Sequence, residues 1–120
     1  MSVRRVGAIL LPVLLAAASP VPPLQTRCGW LHNPTPANWW LVDRDGDWIL
    51  SSQGGRQAPG WEDVDMVSPP QWVKTNGSYG YGCACASMRV DRAKGEVVEI
   101  RSIRPRPLKA CRGDRTLAKP

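Results

Sequence analysis

Few side chains in this 120-residue chain are of a type that does chemistry. Four are cysteines, Cys28, Cys83, Cys85 and Cys111; one is the single histidine, His32; and six carboxylates fall in two runs, Asp43, Asp45, Asp47 and Glu62, Asp63, Asp65. Cys83 and Cys85 are two apart in YGYGCACASM, a spacing that could serve a metal, a redox centre or a structural staple. Metal sites favour Cys-x-x-Cys or mixed Cys/His spacing, and thioredoxin-type chemistry places two residues between its cysteines at the start of a helix. Neither pattern is present, so no metal and no cofactor is expected. An even cysteine count in a short chain reads as a disulfide framework if the chain is exported, which the layout of its first residues supports. Residues two apart on a strand point to one face, and a Cys83–Cys85 bond would close a very tight loop. Each therefore reaches another segment, one Cys28 and the other Cys111, with the assignment left open.

The carboxylates offer little to catalysis. Asp43, Asp45 and Asp47 alternate as in a calcium loop, but the glycine falls at the fourth position and the twelfth is Gly54 instead of a glutamate. Paired acids from the two runs could in principle hydrolyse a glycosidic bond. His32 sits beside Asn33-Pro34 in a proline-rich loop, where no Ser-His or Cys-His arrangement forms. The expected site list accordingly has no catalytic residue, and the enzyme reading stays open but disfavoured. Arg112-Gly113-Asp114 spells an adhesion tripeptide and Asn76-Gly77-Ser78 a glycosylation acceptor. Chance accounts for the first, and a hairpin turn for the second.

Recognition by rings is the better prospect. The chain has six tryptophans, two tyrosines and no phenylalanine. Trp39 and Trp40 are adjacent, so on a strand they face opposite sides. Tyr79 and Tyr81 share a face and flank glycines that admit close approach. Trp39, Trp40, Trp48, Tyr79 and Tyr81 are the candidate ligand-binding residues, because a ring offers a rigid apolar face with a polar edge. Core filling is the competing explanation for each tryptophan. Residues 27–88 carry 4 basic and 6 acidic groups, and residues 89–120 carry 10 and 4. Arg101, Arg104, Arg106 and Lys109 form a candidate patch for an anionic partner, against the plainer role of a solvated face.

These residues have to be placed by strands. Residues 1–18, MSVRRVGAILLPVLLAAA, put two arginines before an apolar run that closes on small residues, the layout of a secretory signal peptide cut after Ala18. The run is too short to span a bilayer, so no membrane span is expected after its removal. Residues 19–26 read as a proline-rich, unpacked lead-in and residues 27–118 as a single β-rich domain. NWWLVDRDGDWIL predicts a hairpin turning at Gly46, and QWVKTNGSYGYG a second at Asn76-Gly77. EVVEIRSI is a further strand, and LKACRGDRTL is irregular or a single helical turn. The class is mainly β: about five antiparallel strands in a small sheet or partly open barrel, stapled by disulfides.

The order CGW, NPTPAN, WLVDRDGDW, QGG, QWVKTNGSYGYGCAC and PLKACRGD, from about Cys28 to Leu117, resembles a family of small exported bacterial proteins called domain of unknown function 4087. The resemblance implies a bacterial, periplasmic or secreted protein and brings no activity, ligand or catalytic residue. The expected role is a non-enzymatic binding or inhibitor-like module for an envelope glycan or protein. No nucleic-acid partner is specified and the oligomeric state is open. The alternatives are a small cell-wall or glycan hydrolase and a Cys-x-Cys redox or metal-handling protein.

Overall fold

The computed structural model describes residues 2–13, 20–66 and 69–120. The expected cleavage position after Ala18 lies outside the described residues. Among the described residues there are six strands, β1 (Gln25–Asn33), β2 (Trp39–Asp43), β3 (Gly46–Ser51), β4 (Trp72–Asn76), β5 (Tyr79–Asp91) and β6 (Glu96–Arg106), followed by a short helix, α1 (Leu108–Arg112). The strand beyond the expected five is β1. It begins at Gln25, two residues inside the stretch read as an unpacked lead-in, and it pairs along its length with β5.

The architecture is an open antiparallel sheet in the order β3-β2-β1-β5-β4, with β6 also paired to β5. The length of β5, 13 residues, explains this arrangement. One side of β5 takes β1; the other takes β4 against Tyr79–Gly82 and then β6 against Cys83–Asp91. Turns are set by local chemistry. Gly46 and Gly77 both adopt positive φ at the two expected hairpins, a conformation that glycine reaches without a Cβ clash. Asp43 Oδ1 accepts from the backbone N–H groups of Asp45 and Gly46, which closes the β2–β3 turn from within. The NPTPAN loop is held by Asn33, whose amide donates to the carbonyls of Thr35 and Asn38.

Alternation on each strand sends Leu31, Leu41, Trp48, Leu50, Ala84, Ala86, Met88, Val97, Ile100 and Ile103 to the inner face, where they form the main core. The sheet curls enough for the 52–66 connection to join its distant strands. Ala58 N–H donates to Leu50 O on β3, Ile100 N–H on β6 donates to Pro59 O, and Met66 bridges to Ile103. Trp39, Trp61, Val64 and Met66 close that core from the side. A stretch that reads as a linker is therefore part of the core's lid. At Gly80, an added Cβ would come within 1.8 Å of Val73 O, and at Gly29 within 1.9 Å of Val42 O. The glycines in these strands are required by that close backbone approach.

Two disulfides close the framework, Cys28–Cys85 and Cys83–Cys111. The register decides the open assignment: Cys28 lies directly opposite Cys85, whereas Cys83 faces α1. A second, smaller cluster on the outer face packs Trp30, Cys83 and Cys111 with Val42, Tyr81, Leu108, Ala110 and Leu117. The C-terminal tail is pinned there by Trp30 Nε1, which donates to Ala118 O at 3.1 Å.

Candidate functional site

The outer face of the sheet carries an aromatic row built by register alone. Trp40 on β2 pairs with His32 on β1, and His32 pairs with Tyr81 on β5. Residues directly opposite each other project to the same face. The Trp40 and His32 rings stack at 5.7 Å with 20° between planes, and His32 and Tyr81 are 5.6 Å apart at 38°. Tyr81 then meets Trp30 edge-on at 5.5 Å. Register extends the row to both sides, through Ile49 opposite Trp40 on β3 and Val73 opposite Tyr81 on β4. None of Ile49, Trp40, His32, Tyr81 and Val73 is fully buried, and Ile49 is 42% exposed. Helix α1 and the tail after it cover Trp30 and one side of Tyr81, and among the described residues Ile49 is exposed and Trp40, His32 and Val73 are partly exposed.

The rings stand side by side, so the row presents their edges to solvent as an apolar ridge crossing five strands. Burial holds the His32 pKa below its ordinary value, with Asp47 pulling weakly the other way. The imidazole is therefore neutral at pH 7, and the ridge carries no charge of its own.

The other candidate rings are elsewhere. Trp39 turns inward, 5.8 Å from Trp61 and 6.3 Å from Trp72, so the adjacent pair does divide between faces. Trp48 is 4% exposed, in the core, with the Arg27 guanidinium 4.6 Å above its ring. Tyr79 is half-buried at the start of β5, on the same face as Tyr81. In the basic patch, Arg104 and Arg106 on β6 are opposite Cys85 and Cys83 and share the outer face. Arg101 is engaged by Glu99 at 2.8 Å, and Lys109 is exposed on α1.

A cleft of ≈ 610 Å³ lies at the β2–β3 turn and is lined by Gln25, Arg27, Cys28, Asp43, Asp45, Arg92 and neighbouring residues. Its centre is an ion-pair group that is not among the expected site residues. Arg27 is 8% exposed and donates through Nη1 to Asp43 Oδ2 and Asp45 Oδ2, both at 2.8 Å, and through Nη2 to Gln25 at 2.9 Å. Burial disfavours the Arg27 cation, but its hydrogen bonds to Asp43 and Asp45 outweigh that and raise its pKa. Asp45 is held below the usual carboxylate range, first by the Arg27 hydrogen bond. The available signal was an arginine in QTRCGWLHN at the alternation of Gly29 and Leu31, with Asp43 and Asp45 able to meet it.

That geometry bears on hydrolysis. Asp43 uses one oxygen for the turn and the other for Arg27, and Asp45 is held as an anion by the same cation. A general acid needs a raised pKa, and Asp45 is shifted the opposite way. Asp114 is likewise lowered, by the Thr116 hydroxyl and N–H, which assigns the aspartate of Arg112-Gly113-Asp114 a local turn. Among the described residues, no group of three or more His, Cys, Asp or Glu is placed to hold a metal ion. No helix among them is long and apolar enough to cross a membrane.

Residues 23–118 match the family model described as protein of unknown function (DUF4087), and the chain belongs to that family. No curated protein and no solved structure matches the chain.

Proposed function

We propose that this chain is an exported, non-enzymatic binding module that docks a protein of the cell envelope on the outer face of its sheet. The observation that carries the proposal is the Trp40–His32–Tyr81 row, in register across three strands and covered by α1 only on one side of Tyr81. Large rings on a soluble domain are normally buried, and an uncovered apolar row marks an interaction surface. Ring edges form a ridge that a complementary groove on a protein surface can enclose. Sugars prefer an open ring face, and here Trp40 and His32 turn theirs toward each other. The basic groups on the same face, Arg104 and Arg106, favour an acidic rim on the partner. Export is supported by the signal-peptide layout of residues 1–18 and by a fold that uses two disulfides, which persist in oxidising compartments.

The test is a photo-crosslinking residue placed at Val73 in the row and, as a control, at Lys94 in the distant β5–β6 turn, expressed in the producing cell. The expected result is a protease-sensitive adduct from position 73 and none from position 94. An adduct that resists protease and yields to a glycan hydrolase would replace the protein partner by a glycan. Equal labelling from both positions would remove the surface from consideration.

A further inference from the structure

We propose that the Cys28–Cys85 disulfide is a thiol–disulfide exchange site that accepts two electrons from a dithiol, while Cys83–Cys111 stays closed. The two bonds differ in setting. Cys83 and Cys111 are 0% and 3% exposed and lie beneath α1 beside Trp30. Cys28 and Cys85 are both only half-buried, and Cys28 lines the ≈ 610 Å³ cleft, the side from which an incoming thiol would approach.

They also differ in what they hold. Cys28 and Cys85 are directly opposite each other within a ladder that runs from the Gln25–Met88 pair to the Asn33–Gly80 pair. Backbone pairing continues on both sides of the bond, so opening it leaves β1 and β5 joined. Cys83–Cys111 is the covalent tie between α1 and the sheet, and opening it releases the cover of the second core cluster.

The charges around the half-buried bond favour a cysteine thiolate as leaving group. Arg104 lies opposite Cys85 on β6, and Arg44 lines the cleft with Cys28. Neither arginine forms an ion pair among the described residues. Asp43 and Asp45 are paired with Arg27, while Asp114 at the cleft stays an anion and offsets part of the Arg44 charge, so Arg104 beside Cys85 is the stronger influence. Neighbouring cations lower thiol pKa values, and a leaving thiol of lower pKa departs faster.

The exchange balances without another reactant. A thiolate of the dithiol attacks one sulfur of Cys28–Cys85, the S–S bond breaks, and the other cysteine leaves as a thiolate. The second thiol of the donor, deprotonated, then attacks its own sulfur in the mixed disulfide. The donor closes to its disulfide, and Cys28 and Cys85 are left as two thiols that take up the two protons.

Dithiothreitol at limiting ratio tests this on the folded protein, with iodoacetamide quenching and peptide mass mapping over time. Carbamidomethyl groups should appear on Cys28 and Cys85 at least tenfold sooner than on Cys83 and Cys111, with far-ultraviolet circular dichroism unchanged. Arg104→Gln and Arg44→Gln, both at exposed positions, should each slow this first reduction about three- to tenfold while keeping the unfolding midpoint. Simultaneous labelling of all four cysteines, earlier labelling of Cys83 and Cys111, no reduction short of denaturant, or wild-type rates in both arginine variants would each overturn the proposal.

Discussion

On the inner face of β1, β2 and β5, Leu31, Leu41 and Ala84 are wholly withdrawn from solvent. His32 and Trp40, one residue from Leu31 and Leu41, and Tyr81, three from Ala84, stand on the outer face with their rings partly in water. Both faces carry large apolar groups, yet only one is sealed. The 52–66 connection crosses from β3 to β6 and closes the inner face, while α1 covers only the Trp30 side of the outer one. The lesson is that alternation decides which face a side chain joins, and the connections decide whether that face becomes core or surface.

Variants at neighbouring positions can break this comparison. The largest effect belongs to the inner face at its charged end. Asp43→Ala leaves Arg27 buried with half its pairing gone, and removing one partner of a buried pair typically costs about 3–5 kcal/mol; equilibrium urea unfolding reads it directly. Next comes Leu41→Ala, expected to cost about 2–5 kcal/mol as a cavity in the main core. A loss below about 1 kcal/mol there would mean that the inner face is not the packed one.

Acid titration sharpens the comparison, because the two faces titrate in different windows. His32 has a folded pKa below its ordinary 6.5, since burial disfavours the cation. The unfolded chain therefore takes up the proton first, and stability falls as pH drops from about 6.5 toward the lower folded value. Asp45 has a folded value below its ordinary 3.8 because of Arg27. Its contribution is complete above 3.8 and is lost as pH falls through the lower folded value. Unfolding midpoints measured from pH 8 to 2 should thus decline in two steps, and His32→Gln should abolish only the upper one. The smallest stability effect is expected from Trp40→Ala, about 1 kcal/mol or less, since its ring is only half-buried and leaves no sealed cavity.

Much of this was legible in sequence where one residue type answers one local need. Gly46 and Gly77 mark the hairpins, Trp39-Trp40 divides between faces, and Cys83 and Cys85 each reach a different end of the chain. β1 was harder to see, because QTRCGWLHN places an arginine and a glycine on its inner face where apolar residues are usual. Their reasons are tertiary: Arg27 is neutralised by Asp43 and Asp45, and Gly29 has no room for a Cβ against Val42. The QGG and APG stretch resembles a linker by composition, and only its hydrogen bonds to β3 and β6 make it a lid. By its neighbours His32 reads as a loop histidine, whereas it lies in β1 as the middle ring of the row. Its role depends on a register between β1 and both neighbours that no short motif encodes.

The most direct test of the division between faces is the yield of partner adduct from a photo-crosslinking residue at Val73, with and without Trp40→Ala. The account predicts a protease-sensitive adduct with Trp40 present and its loss in the Trp40→Ala protein, with the unfolding midpoint nearly unchanged. An undiminished adduct without Trp40, or no adduct from either protein, would contradict the outer face as the docking surface.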